Sequence, residues 1–252
     1  MQKDSNLYKG IILAGGAGTR LHPITKVVSK QLLPIYDNPM IYYPLSTLIN
    51  SGIGEILIIT TEDDLGLFKR LLGNGDEWGV KIDFATQKKP EGIAQSLIIA
   101  EEWLNGSKSV LILGDNLFFG PDLPLIVQNA KSKNDGATLF CYEVIDPERF
   151  GVIEFDKDNN ILAIDEKPKK PMSNWIITGL YIYDENASNV AKNLSKSERG
   201  EYEITDLNRY YLEQKNLKAV FLNKNYSWLD TGTHETLLEA SNFVKDNNIK
   251  IK

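Results

Sequence analysis

The sequence predicts an α/β fold, a mixed but mostly parallel sheet flanked by helices, with an antiparallel lobe added by the second half of the chain. Three observations carry this. In the first half, short apolar runs alternate with segments of helical period. In the second half, strand-like runs follow one another without intervening helices. No repeat, low-complexity tract or linker divides the 252 residues, so one large domain over 1–252 fits better than two.

The elements follow in order. Tyr8 to Leu13 reads as a buried strand running into a glycine-rich loop. Asn38-Pro39 reads as an N-cap with proline at the first helical position, opening a helix through Ile41, Leu45, Leu48 and Ile49 that Gly52 stops. Glu55 to Thr60 is a second strand, and Asp63 to Leu72 a helix ended by Gly73-Asn74-Gly75. Val80 to Gln87, Ile93 to Leu104 and Ser109 to Leu113 give strand, helix and strand. Such spacing requires right-handed crossovers, and ligands then bind outside the carboxyl ends of the strands. Three polar clusters fall there: Gly15 to Arg20, Gln87 to Gly92, and Asp115.

Beyond residue 136 the predicted strands are Ala137 to Val144, Val152 to Phe155, Ile161 to Glu166 and Ile176 to Tyr183, with a hairpin turn at 156–160. Helices at Ala187 to Leu194 and Ile204 to Gln214, a strand at Ala219 to Leu222 and a last helix from Thr233 complete the reading.

Composition narrows the function. Lys and Arg total 28 against 34 Asp and Glu, a net charge of −6, whereas a nucleic-acid binder carries a basic footprint. An anionic ligand must therefore be met by locally placed cations. One cysteine, Cys141, excludes a disulfide framework and a cysteine-rich zinc site, and two histidines exclude a multi-His metal centre. His22 and His234 are read as structural and Cys141 as core. The N-terminus is polar and lacks an export signal, and no run approaches the ~18 apolar residues of a membrane span. The expectation is a soluble, cytoplasmic protein.

The chemistry-bearing residues cluster. Leu13-Ala14-Gly15-Gly16-Ala17-Gly18-Thr19-Arg20-Leu21 follows a strand directly. Its glycines let successive N–H groups point at phosphate oxygens, and Arg20 adds a forked cation. A nicotinamide-type dinucleotide loop is disfavoured because Leu21 stands where its third glycine belongs and no acidic residue ends a second strand ~20 residues later. A Walker loop is excluded by the missing Gly-Lys-Ser/Thr ending. Lys30 is a second phosphate-binding cation. Gln31 and Gln87 each offer a donor and an acceptor suited to a base edge. Asp115, just past a buried strand, is a natural Mg²⁺ ligand. Asp230 is either the second carboxylate or a cap for the final helix. Proline at 168 pushes Lys167 to extended geometry, from which its amine projects into a cleft.

These pieces together resemble the sugar-1-phosphate nucleotidyltransferases, most closely the thymidylyl-transferring branch, from about Lys9 to Asn242. The strings that carry the resemblance are Gly-Gly-Ala-Gly-Thr-Arg-Leu, Ser-Lys-Gln-Leu-Leu-Pro-Ile-Tyr, Pro-Met-Ile-Tyr-Tyr-Pro-Leu-Ser, Leu-Gly-Asp-Asn, Asp-Pro-Glu-Arg-Phe-Gly-Val, Glu-Lys-Pro, Thr-Gly-Leu-Tyr, Glu-Ile-Thr-Asp and Trp-Leu-Asp-Thr-Gly-Thr-His, in this order. The resemblance implies a Rossmann-like nucleotidyltransferase fold with a nucleotide-binding half at about 1–135, a sugar-phosphate-binding half at about 136–232, and a C-terminal helix at 233–252. It implies Mg²⁺-dependent attack of glucose 1-phosphate on dTTP, giving dTDP-glucose and pyrophosphate for rhamnose-type nucleotide sugars and cell-surface polysaccharide.

By the same resemblance Arg20 and Lys30 hold the triphosphate, Asp115 and Asp230 the metal, and Lys167 the sugar phosphate. Leu13, Gly15, Gly16, Gly18, Thr19, Gln31, Gln87 and Gly92 frame the nucleotide. Leu113, Phe150, Gly151, Glu166, Ile177 and Trp228 line the sugar side. Phe150 and Phe119 stand where the family usually carries tyrosine. The chain stops at Lys252, some tens of residues before the family's long form, whose tail serves subunit contacts and a feedback site. The resemblance implies a homo-oligomer, and the short C-terminus predicts activity free of product feedback, an expectation that noncompetitive inhibition by dTDP-rhamnose would contradict. The rival readings are a uridylyl- or other nucleotidyltransferase and a non-catalytic sugar-nucleotide sensor. The five charged residues Arg20, Lys30, Asp115, Lys167 and Asp230 favour catalysis.

Overall fold

The computed structural model describes residues 8–251; the polar residues 1–7 of the N-terminal reading, and Lys252, lie outside the described residues. The chain opens on β1 (Tyr8–Ala14), passes three single 3₁₀ turns and the short hairpin of β2 (Pro34–Ile35) and β3 (Asn38–Pro39), and enters α1 (Tyr42–Asn50). Then come β4 (Glu55–Thr60), α2 (Leu65–Leu72), β5 (Lys81–Thr86), α3 (Gln95–Leu104) and β6 (Lys108–Leu113). After β7 (Asn116–Phe119) and α4 (Leu123–Lys133), the second half runs β8 (Ala137–Glu143), β9 (Gly151–Phe155), β10 (Ile161–Glu166) and β11 (Trp175–Tyr183). It ends with α5 (Ala187–Lys192), α6 (Ile204–Glu213), β12 (Leu217–Leu222), β13 (Ser227–Asp230) and α7 (His234–Asp246).

The predicted α/β class is the observed one. A nine-stranded sheet runs β10-β9-β11-β6-β1-β4-β5, with β8 paired to β11 and β12 to β8. The β6-β1-β4-β5 portion is parallel throughout. Period-two alternation explains the two cores on its faces. Ile12, Ile56, Ile58 and Ile112 pack with Leu45, Leu48 and Phe68 on one face. Ile11, Leu57, Ile59 and Leu111 pack with Leu97, Leu104 and Leu207 on the other.

The antiparallel strands of the second half extend this same sheet, because β11 pairs antiparallel with β6, β8 and β9. One edge of β11 is shared: Leu180 to Tyr183 bond β6, and Ile176 meets β9. Between them, at Thr178 and Gly179, the sheet forks. A separate ribbon pairs β7 with β13 and sets Asp230 opposite Asn116.

Two expectations are corrected, and one alternative is removed. Asn38-Pro39 does not cap α1; it pairs with Pro34-Ile35, and the helix starts at Tyr42 after Ile41. Hairpin pairing to Pro34-Ile35 outcompetes the local Asn-Pro signal. Lys167 is left-handed (φ 45°), not extended. The region that the following proline disfavours is right-handed helix, and the left-handed turn avoids it while the Lys167 N–H donates to the Phe150 carbonyl at 3.0 Å. Of the two readings of Asp230, the capping one falls away, because Thr233 caps α7 through a reciprocal capping box with Thr236. The sequence reading also lacks α4, β7 and β13. The two strands have four residues each, too few to show a period, and α4 buries only Leu123, Val127 and Ala130.

Candidate active site

A cleft of about 890 Å³ opens where the C-terminal ends of β1, β5 and β6 meet the fork at β11. The loop after β1 forms one wall. Gly16 is open to the cleft, and Gly18 takes φ 58°, the left-handed turn that starts the 3₁₀ turn Thr19–Leu21. Gly15 is buried behind Gln87, whose Oε1 would lie 2.4 Å from any Cβ at residue 15. Arg20 lays its guanidinium against Gly232, where a Cβ would meet it at 3.0 Å. Among the described residues Arg20 makes no ion pair.

Both glutamines are buried and half-committed. Gln31 accepts from the Ser29 hydroxyl through Oε1 (2.8 Å). Gln87 donates through Nε2 to Gln95 Oε1 (2.6 Å), and Gln95 in turn donates to Glu91. Among the described residues the Nε2 of Gln31 and the Oε1 of Gln87 make no hydrogen bond. Leu13, Gly92 and Leu113 line the same region. Gly92 has φ 98° and packs directly on the Tyr202 carbonyl.

The centre carries the charges. Lys30, 5% exposed, donates from Nζ to Asp115 Oδ2 at 2.5 Å. Asp115 Oδ1 accepts from Asn116 Nδ2 at 3.0 Å. Burial raises the Asp115 carboxyl, but the charge and hydrogen bond of Lys30 outweigh it and hold the group below its usual range. Asp230 is the opposite case. Burial first, then the charge of Asp115, push it above the usual carboxylate range, while Lys30, Arg20 and Arg149 pull it down. The site thus holds two neighbouring carboxylates, one neutralised by a lysine and one not.

The far end of the cleft is built from β9, β10, β11 and α6. Phe150 meets Trp228 edge-on at 5.3 Å. Glu166 accepts from the Thr205 hydroxyl at 2.6 Å, and Lys167 Nζ stands 3.4 Å from the other oxygen of Glu166. Gly151 faces Glu166, Thr205 and Ile177 at about 3.6–3.7 Å from a notional Cβ, an open shelf.

Sixteen of the predicted site residues therefore line one cleft, and Gly15, Gly18 and Lys30 support it from behind. The sequence reading missed Arg149, Asn116, Arg199, Glu203, Thr205 and Asn208, which line it too. Asn116, Arg149, Glu203 and Thr205 fall inside strings already singled out; Arg199 lies four residues before Glu203 and is joined to it by a bond of 2.8 Å. Their spacing along the chain carried no signal of its own.

The sequence profile of the nucleotidyl transferase family matches residues 9–247. The chain belongs to that family. A glucose-1-phosphate thymidylyltransferase of Neisseria gonorrhoeae is 54% identical to this nucleotidyltransferase over 237 residues, 94% of this chain and 82% of that protein. One from Xanthomonas campestris pv. campestris is 55% identical over the same length, 94% and 80% respectively. Among solved structures, a Bacillus anthracis protein crystallised with sucrose, to which the same activity has been ascribed, superposes with a TM-score of 0.88 at 41% identity, covering 96% of this chain and 97% of that one. A UDP-glucose pyrophosphorylase bound to UDP-glucose shares the fold with a TM-score of 0.84 at 23% identity, covering 96% and 99%.

Proposed function

We propose that this nucleotidyltransferase transfers a thymidylyl group from dTTP to glucose 1-phosphate, giving dTDP-glucose and pyrophosphate. One observation carries the reading: a single cleft has a glycine loop with two glutamines at one end, a Glu-Lys-Thr shelf at the other, and a carboxylate pair with cations between them. The thymidylyl preference draws on the relatives from Neisseria and Xanthomonas, since the methyl of thymine is an apolar contact worth only ~1–3 kcal/mol.

The donor set fits magnesium. Asp230 is destabilised as an anion by burial and by Asp115, and a hard dication relieves that repulsion. Two carboxylates suit Mg²⁺, which is held by one or two carboxylates plus phosphate oxygens. Asp115 and Asp230 would hold it. Bound there, the ion supplies charge neutralisation between two phosphorylated substrates.

The chain's own residues do the rest. Gly16, Gly18 and Thr19 bring backbone N–H groups to the triphosphate, and Arg20 and Lys30 stabilise the departing pyrophosphate. Leu13, Gln31, Gln87 and Gly92 hold the base. Lys167 binds the sugar phosphate, and Glu166, Gly151, Phe150, Ile177, Leu113 and Trp228 enclose the sugar. A phosphate monoester is largely a dianion at neutral pH, so the sugar phosphate oxygen attacks the α-phosphorus without a general base. Positioning and charge neutralisation are what such a transfer requires. No helix among the described residues is long and apolar enough to cross a membrane. Two membrane-impermeant phosphorylated substrates argue for work in the cytoplasm.

The test is pyrophosphate release with Mg²⁺, glucose 1-phosphate and dTTP, UTP, CTP, ATP or GTP separately. Release that prefers dTTP and is lost in Asp115→Asn and Asp230→Asn supports the reading. Preference for another nucleotide assigns a sister activity, and silence with every nucleotide overturns it.

A further inference from the structure

The Asn116 side chain ties the two ends of the cleft together. It is 4% exposed. Its Oδ1 accepts two hydrogen bonds, from the Gly179 N–H at 3.0 Å and from the Trp228 indole Nε1–H at 2.7 Å. Two obligate donors on one atom identify that atom as the oxygen, so the amide has one orientation and its nitrogen must face the other way. That nitrogen donates to Asp115 Oδ1 at 3.0 Å. The opposite oxygen of Asp115 is taken by Lys30, which leaves the carboxylate fixed on both sides.

The surroundings are shaped for this amide. A Cβ on Gly179 would stand 2.7 Å from Asn116 Cγ and Oδ1, so residue 179 must lack a side chain. Gly179 lies at the fork, where β11 is paired to neither β6 nor β9, and its N–H finds its acceptor in Asn116 instead of a strand. The backbone of Asn116 pairs with Asp230 on β13. One residue thus bonds the first acid, pairs with the strand of the second and holds the indole that walls the sugar end.

We propose that Asn116 is a positioning residue that sets the Asp115 carboxylate and the Trp228 wall in one register, coupling the reacting centre to the shape of the sugar end. It acts through Asp115 and Trp228, and this rests on the roles given to those two residues above. Asparagine suits the place because no isostere does both tasks. Aspartate accepts the two N–H groups but loses the donor to Asp115 and sets a like charge against it. Alanine strands both buried N–H groups as well.

The two variants therefore separate. Asn116→Asp keeps the glucose 1-phosphate KM within about threefold of wild type while kcat falls roughly 10- to 100-fold, the usual range for losing such an outer contact. Asn116→Ala lowers kcat similarly and also raises that KM. A merely structural residue would lower the urea midpoint of both variants and leave kcat and KM per folded molecule unchanged, which would overturn the proposal. A second readout is independent of turnover. In ¹H–¹⁵N spectra the protein's 4 tryptophans give separate indole signals, and Trp228→Phe identifies one of them. That signal moves upfield in Asn116→Ala and stays in place in Asn116→Asp; an unmoved signal in Asn116→Ala overturns the proposal. Failure of wild type to release pyrophosphate would count against the proposed function, while the indole signal would still test Asn116. Should wild type prefer another nucleotide, the kinetic comparison is run on that pair.

Discussion

Replacing Lys30 by methionine removes the cation and keeps most of the side-chain volume. In wild type the Lys30 side chain is 6% exposed and its ammonium sits 2.5 Å from an Asp115 carboxylate whose side chain is 24% exposed. Removing one partner of a buried pair costs about 3–5 kcal/mol, because the remaining charge is left uncompensated. Asp115 retains the hydrogen bond from Asn116 and partial access to the cleft, which argues for the lower end, about 3 kcal/mol. For a protein of this size that is a fall of roughly 6–12 °C in melting temperature. The assay is urea unfolding of metal-free protein for Lys30→Met, Asp115→Asn and the double variant. A coupling energy of about 2 kcal/mol or more is expected. The pH dependence follows. A carboxyl held low in the folded state stabilises above its ordinary pKa and loses that contribution as pH falls through the folded value. In Lys30→Met this acid-side loss shrinks. Saturating Mg²⁺ or Mn²⁺ recovers more stability in the variant than in wild type, since the ion restores the missing charge. A coupling energy below about 0.5 kcal/mol, the additivity limit for independent sites, would refute the reasoning.

Asp230→Asn gives the reverse stability effect. The Asp230 pKa is raised on folding, so its ionisation opposes folding above the ordinary carboxylate pKa. Metal-free Asp230→Asn should be more stable than wild type at pH 7, by about 0.5–2 kcal/mol, with the gain vanishing as pH falls below 3.8; a destabilised variant contradicts this. Tyr43, pushed up to about 12 by burial and by Asp37, stabilises the fold fully below pH 10 and loses that contribution as pH rises to about 12. Tyr43→Phe should flatten the alkaline limb of the stability curve by roughly 2 kcal/mol, measured as the difference between pH 9 and pH 12. Gly15→Ala drives a methyl to 2.4 Å from Gln87 Oε1 and displaces that amide. The KM for dTTP should rise roughly three- to tenfold, about one hydrogen bond, with kcat nearly unchanged; an unaltered KM would remove Gln87 from the base end.

The sequence by itself determined the sheet and one wall of the site. The strands β1, β4 and β6 are local apolar runs buried on both faces, and such a run needs no knowledge of its partners to be read. The loop at 15–20 is legible for the same reason, since glycines, a threonine and an arginine after a strand are adjacent in the chain. Even Asp115 and Asp230 stand out, each closing a short apolar segment. What the local signal misread were places where a distant partner outweighed it. Asn38-Pro39 looks like a helix start and became a strand because Pro34-Ile35 offered pairing. The two readings of Asp230 are separated only in the fold, where Thr233 caps α7 and Asp230 lines the cleft.

Only the tertiary structure decided how the pieces act on one another. Lys30 meets Asp115 across 85 residues, and Asn116 meets Gly179 and Trp228 across 63 and 112. Periodicity and spacing carry information about neighbours a few residues apart, whereas these contacts exist because the fork of the sheet between β6 and β11 meets the separate β7-β13 ribbon. Which carboxylate is neutralised and which is left high in pKa is therefore a property of the fold, settled by whose ammonium packs against whose oxygen.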